Sequence, residues 1–181
     1  MSSAIIITGD KVQDHEFIYP YYRLQEEEFV VDVAVRGEKE VLGYYGTKIP
    51  VNCDIPSPNI EGFYPTINWN VLILPGGAKA MEYMRQDPGI LKFIAKFHEQ
   101  GGIIGSICHG AQLLISAGLV RGKMISGYYS IKDDIENAGG IYKDSSCVTD
   151  FTGTGVIITS PHYKYLGPWM KEVLHQVELN K

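Results

Sequence analysis

Residues 102–114, Gly-Ile-Ile-Gly-Ser-Ile-Cys-His-Gly-Ala-Gln-Leu-Leu, constrain the fold of this chain more than any other stretch. A short apolar run meets a cysteine between glycines, and a helical pattern through Gln112, Leu113, Leu114 and Ile115 follows. This order predicts strand, tight turn and helix, with Cys108 at the turn and its sulfur facing open space. The positive end of the helix dipole there favours thiolate over thiol. Gly105 and Gly110 permit so sharp a turn, and His109 supplies a proton acceptor or a positive neighbour. The pattern is a nucleophile elbow with cysteine where serine is usual. The competing reading is a buried structural cysteine, since free cysteine is among the most buried residue types. The segment alone does not choose between them.

The remaining apolar runs supply a scaffold. Residues 4–8 are an isoleucine run ending in Thr8-Gly9-Asp10, as a buried parallel strand ends. Phe17, Tyr21 and Leu24 recur at helical spacing, which predicts a helix over 16–27 with Pro20 near its first turn. Residues 29–35 read as a second strand, 36–49 as a hairpin or meander, and 51–70 as a long irregular region. A strand over 69–74 is stopped by Pro75-Gly76-Gly77, with helices following at 81–85 and 88–100. Residues 102–107 deliver Cys108, and the helix after it ends near Gly118. A short strand over 124–129 and a helix over 131–138, closed by Gly139-Gly140, come next. Residues 147–150 and 156–159 pair as a hairpin, and 165–178 form a last helix.

Strands alternating with helices imply an α/β fold with a mostly parallel sheet covered on both faces. The 181 residues suit one domain spanning 1–181. No window approaches the roughly 20 apolar residues of a membrane span, so no membrane partner is expected. Net charge is −5 with scattered basic residues, which argues against a nucleic-acid partner. Three cysteines, Cys53, Cys108 and Cys147, lack CxxC or Cys/His ligand spacing. No disulfide framework, metal or cofactor is expected, and the location expected is cytoplasmic.

Ligands of such sheets bind beyond the carboxyl ends of the strands. Three ends then become neighbours: Thr8-Gly9-Asp10 with Glu16, Leu74-Pro75-Gly76-Gly77, and Ile107-Cys108-His109. A thiolate attacking a carbonyl needs a proton shuttle and donors for the developing oxyanion. Gly76 or Gly77 could present one backbone N–H and His109 a second. The competing reading for Pro75-Gly76-Gly77 is a plain turn, and for Glu16 a favourable acid at a helix N-terminus. A carboxyl that stays neutral beside the sulfur needs a raised pKa.

The segments Gly105-Ser106-Ile107-Cys108-His109-Gly110 and Leu74-Pro75-Gly76-Gly77, with Glu16 followed by Tyr19-Pro20-Tyr21-Tyr22-Arg23-Leu24, closely resemble the ThiJ/PfpI family. So do residues 114–123 and 131–139, and the likeness runs from about residue 4 to the C-terminus. The resemblance implies a flavodoxin-like three-layer sandwich without a cofactor. It makes Cys108 the nucleophile, Glu16 its protonated carboxyl partner, His109 the base or shuttle, and Gly77 with the His109 amide the oxyanion site. In the intracellular-protease branch an acid from a neighbouring subunit orients the histidine. After a one-residue shift that acid corresponds to Glu82, which implies a homo-oligomer, a dimer or trimer of dimers. The family's Ser-Arg-x-Pro is replaced here by Thr159-Ser160-Pro161-His162-Tyr163. The arginine is missing, and His162 is either a substitute polar group or a solvated loop histidine. The region 36–63, with Tyr44, Tyr45 and Cys53, has no tight counterpart.

The resemblance and the Cys108-His109 pair imply a glyoxalase III or deglycase-type enzyme acting on small carbonyl substrates such as methylglyoxal or glyoxal. The alternatives are a PfpI-type cysteine peptidase, an isonitrile hydratase, and a redox-sensing stress protein or holdase in which Cys108 is the oxidised thiol. Glutamine amidotransferases share the elbow but need a downstream His-x-Glu, which neither His162 nor His175 begins.

Overall fold

The computed structural model describes residues 2–56 and 69–180. In chain order the elements are β1 (Ser3–Ile7), α1 (Asp14–Glu26), β2 (Val30–Ala34), β3 (Val71–Leu74), α2 (Ala78–Met84), α3 (Pro88–Glu99), β4 (Ile103–Ile107), α4 (Ala111–Ser116), β5 (Met124–Ile125), α5 (Lys132–Asn137), β6 (Ile141–Tyr142), β7 (Val148–Asp150), β8 (Val156–Ser160) and α6 (Leu166–Leu179). Six strands form one sheet in the order β2-β1-β3-β4-β8-β7, parallel throughout except for β7 at its edge. β5 and β6 make a separate parallel pair. This is the flavodoxin-like arrangement, with chain order reversing between β1 and β3.

Alternation along the strands builds two cores. Ile5, Ile7, Leu72, Leu74 and Ile104 face α2, α3, α4 and α5, where Met81, Ile94, Phe97, Leu113 and Ile135 are buried. Ala4, Ile6, Val71, Ile73 and Ile103 face α1 and α6, meeting Phe17, Leu24, Trp169, Met170 and Val173. Gly105 makes room on that second face: a Cβ there would sit 3.2 Å from the Trp169 ring and 3.0 Å from Val173. The indole Nε1–H of Trp169 donates to Ile158 O at 3.2 Å, so this fully buried ring leaves no polar atom unpaired. No helix among the described residues is long and apolar enough to cross a membrane.

Several local expectations are corrected. α1 starts at Asp14, capped by the Gln13 side chain, so Pro20 lies inside the helix and not near its first turn. A proline there deprives the Glu16 carbonyl of its helical donor. The hairpin expected over 36–49 is confined to its second half: after a 3₁₀ turn (Arg36–Glu38), an antiparallel bridge joins Leu42 to Lys48, with Gly43 N donating to Thr47 O at 2.8 Å and Ile49 N to Val41 O at 3.2 Å. The loop is held by a buried Asp14, whose carboxylate accepts from Tyr45 N at 2.8 Å and Thr47 N at 3.0 Å. Trp69 and Asn70 precede β3, and residues 126–129 do not continue β5. Ser126 N instead donates to the Thr159 side chain at 2.9 Å, which withdraws it from a strand ladder. Most of the irregular region 51–70, and the end of the region 36–63, lie outside the described residues.

Candidate active site

The carboxyl ends of β1, β3 and β4 lie side by side and bring together the segments after them. Cys108 follows β4 directly, and its φ of +59° is left-handed. Such a conformation is costly for a residue with a Cβ and is characteristic of a nucleophile elbow. Close packing beneath it holds the turn: a Cβ on Gly110 would sit 2.5 Å from Leu74 O and 2.9 Å from Ser106 Oγ. The Tyr128 amide donates to Cys108 O at 3.2 Å, tying the far side of the turn to residues 126–129.

Glu16, on the first turn of α1, is fully buried. Its Oε2 accepts from Gly76 N–H at 2.8 Å, and Oε1 has no conventional hydrogen-bond partner. The carboxyl and the Cys108 thiol lie near enough for each to influence the other's titration. Burial is the largest influence on Glu16 and carries its pKa from 4.5 to about 8, against the opposing bonds from Cys108 and Gly76. The carboxyl is therefore protonated at neutral pH.

Burial also pushes the Cys108 thiol up, and ionised Glu16 would push it further; the amides of His109 and Gly77 act in the opposite direction. A helix dipole lowering the thiol in the resting site is thus corrected by its surroundings. The turn Cys108–Gly110 is 3₁₀, and α4 beyond it has only six residues. Desolvation of the sulfur outweighs so short a dipole. While Glu16 holds its proton, its repulsion of the sulfur is absent and its O–H is available to sulfur charge. Sulfur charge formed during a reaction would meet that carboxyl and two amides.

His109 Nδ1 lies 3.4 Å from Cys108 Sγ. Burial lowers the imidazole pKa below its ordinary 6.5, so the ring is a neutral base at pH 7. The ring is stacked on Tyr128, centroids 4.6 Å apart and planes at 27°. Tyr128 continues to His162 at 6.1 Å, His162 to Tyr163 at 4.0 Å, and Tyr163 to His15 at 4.9 Å.

These groups surround a cavity of about 440 Å³ lined in part by Glu16, Gly77, Glu82, Cys108, His109 and His162. Of the residues singled out in the sequence, Gly76 changes role. Its N–H is committed to Glu16, so it is not a free oxyanion donor. Its lack of a side chain is nonetheless required, since a Cβ would fall 2.5 Å from Glu16 Oε2 and 2.9 Å from both Cys108 Cβ and His109 N. Gly77, at φ +106°, stays on the cavity wall. Glu82 lies on the same wall, exposed and paired with Lys79 at 2.8 Å; no hydrogen bond joins it to His109 among the described residues.

Sequence reasoning missed Lys11, Gln13, Lys79, Tyr128 and Tyr163 on the cavity wall, and Asp14 behind it, and it named Tyr44 without assigning it to the site. Gly9-Asp10 next to Lys11 was a strand-end signal that could have found the first of these. Tyr44 and Tyr128 come from loops with no local motif.

The model of the DJ-1/PfpI family matches residues 2–176. A deglycase of Pyrococcus horikoshii is 36% identical over 168 residues, covering 93% of this chain and 95% of its own. A relative in Bacillus subtilis with a provisional cysteine-protease name is 34% identical over 146 residues, 80% of this chain and 82% of its own. Among solved structures, a two-domain protein of Anabaena variabilis with DJ-1/ThiJ/PfpI-like and ferritin-like domains superposes with a TM-score of 0.86 at 28% identity. That match covers 98% of this chain but 48% of the larger one. With the model matched over nearly its whole length and archaeal relatives above one-third identity, the chain belongs to the DJ-1/PfpI family.

Proposed function

We propose that this protein is a cytoplasmic, cofactor-independent cysteine enzyme of the glyoxalase III or deglycase type, acting on small reactive carbonyls. The observation that carries the reading is the Cys108 Sγ to His109 Nδ1 approach of 3.4 Å beside a protonated Glu16. The name of the Pyrococcus horikoshii relative supports the same class.

The sulfur attacks the aldehyde carbon of methylglyoxal while its proton passes to His109 Nδ1, and the carbonyl π electrons move to oxygen. The oxyanion lies near the Gly77 and His109 amides and takes the proton from the imidazolium, giving a hemithioacetal. Neutral His109 then removes the C1 hydrogen as a proton, leaving an enediolate charged on the C2 oxygen, and the imidazolium returns that proton to C2 as the C1 hydroxyl proton passes to the C2 oxygen. The product is a thioester of lactate, which water hydrolyses to lactate and the free thiol. Each step asks the histidine to move one proton, a role worth about 10²–10⁴ in rate. The reading includes a homo-oligomer in which Glu82, exposed at the cavity wall, orients a neighbour's histidine.

The test is methylglyoxal consumption without glutathione, with lactate followed directly, for wild type and Cys108→Ser. Lactate from wild type alone is expected. No lactate from folded wild type overturns the reading and turns attention to peptide substrates, as the Bacillus subtilis relative's name suggests. Full activity in a dilute monomer would remove the cross-subunit role of Glu82.

A further inference from the structure

The cavity is far larger than a three-carbon aldehyde needs, and the groups remote from the sulfur share one chemistry. His162 Nδ1 accepts from Lys164 N–H at 3.1 Å, so a neutral ring carries its proton on Nε2. Gln13 Oε1 is occupied by the His15 amide at 3.4 Å and His15 Nδ1 at 3.1 Å, leaving the amide nitrogen as its free donor. Lys11 makes no ion pair among the described residues. Lys79 and Glu82 pair with each other on the same wall, which leaves Lys11 as a lining charge outside an ion pair.

Lys11 is also held in place by its backbone. Its φ is +64°, its N–H donates to Leu42 O at 2.8 Å, and its carbonyl lies under Gly77, 2.8 Å from where a Cβ would be. A lysine fixed in the left-handed region at a cavity wall is an outlier that invites a functional account. The Thr159-Ser160-Pro161-His162 segment brings to the cavity wall an imidazole kept neutral by burial and by Lys164, so it supplies no charge of its own.

We propose that Lys11, Gln13 and His162 form an outer subsite for an anionic oxygen group, a carboxylate or a phosphate monoester, carried by the carbonyl substrate. This rests on the carbonyl-directed reading of Cys108 and narrows it to 2-oxoaldehydes with an acidic tail. Lys11 supplies the charge, and Gln13 and His162 supply neutral donors that direct the anion's oxygens. The wall offers donors whose acceptor atoms are already used, so a neutral apolar tail would leave them unpaired.

The test compares kcat/KM for 4,5-dioxopentanoate, its methyl ester, and a 2-oxoaldehyde bearing a phosphate monoester. Wild type should favour the acids over the ester about ten-fold, chiefly through KM, and the preference should weaken with added salt. Lys11→Gln should erase the preference and Lys11→Arg should restore it. The carboxylate and phosphate arms identify the anion by which loses more in Lys11→Gln. A second readout needs no turnover: protection of Cys108 from iodoacetamide by propanoate or inorganic phosphate, with propanamide as the neutral control. Slowed alkylation in wild type and Lys11→Arg but not in Lys11→Gln supports the subsite even if no aldehyde is consumed, which would instead remove the catalytic reading. A preference that survives Lys11→Gln, or no anion effect in either assay, overturns the subsite.

Discussion

The Gly76 amide donates to Glu16 Oε2 at 2.8 Å, joining the turn after β3 to the first turn of α1 across 60 positions of sequence. This bond takes Gly76 out of the oxyanion site and seats a buried carboxyl under the Cys108 sulfur. A neutral acid, a neutral imidazole and a buried thiol then share one small volume, and any charge created there must be created by the reaction.

Gly76→Ala should be strongly disruptive. The added methyl would meet Glu16 Oε2, Cys108 Cβ and the His109 nitrogen at 2.5–2.9 Å, and two of these three belong to the elbow. A loss of about 1–3 kcal/mol is expected in urea titration, with a fall in Cys108 alkylation in the fraction that folds. Wild-type stability and reactivity in that variant would contradict the packing described.

Glu16 should make stability depend on pH. Its carboxyl ionises near 4.5 when exposed and at about 8 in the fold, so the native state holds a proton that the unfolded state has released. The native advantage of Glu16 is complete below pH 4.5 and is lost as pH rises towards 8. The difference is on the order of 4 kcal/mol. Glu16→Gln should flatten this slope, seen as urea midpoints at pH 5 and 8 that lie closer together than in wild type.

His109 should set the acid limb of the rate profile. Burial holds its pKa below 6.5, and protonation removes the base that accepts the thiol proton. Turnover of methylglyoxal should fall with decreasing pH through a pKa below 6.5. His109→Gln should cost about 10²–10⁴ in kcat and abolish that limb. A variant with an unchanged profile would assign the base elsewhere.

Asp14 should act on the cavity from behind. Its carboxylate is raised by burial but lowered overall by bonds from Thr47 and Tyr45, so it is ionised and holds residues 43–47 through two amides. Asp14→Ala removes two charge-assisted bonds from those half-buried amides, at about 1–3 kcal/mol. Tyr44, which lines the cavity, sits on that loop, so KM should rise more than kcat falls.

Much of the scaffold was legible because its signals are local. Isoleucine and valine runs closed by Gly or Pro place β1, β3 and β4, and turn glycines place the β7–β8 hairpin. Boundaries were lost where packing competes with pattern. Pro20 is tolerated inside α1 because Phe17 and Leu24 are buried on either side of it. The hairpin after β2 stays short because the Asp14 carboxylate, from α1, takes the Tyr45 and Thr47 amides, a partner no local pattern announces.

The order of apolar runs, the Cys108-His109 turn and the glycines around it were already decided by sequence, since steric and hydrophobic period are properties of neighbouring residues. The charge of the site was not. Whether Glu16 keeps its proton, whether the Cys108 thiol is raised or lowered, and whether Gly76 has an amide to offer all depend on what long-range packing places beside them. Desolvation and hydrogen-bond partners belong to the folded neighbourhood, and the same is true of the stacked rings from His109 through Tyr128 to His162, which come from three separate segments.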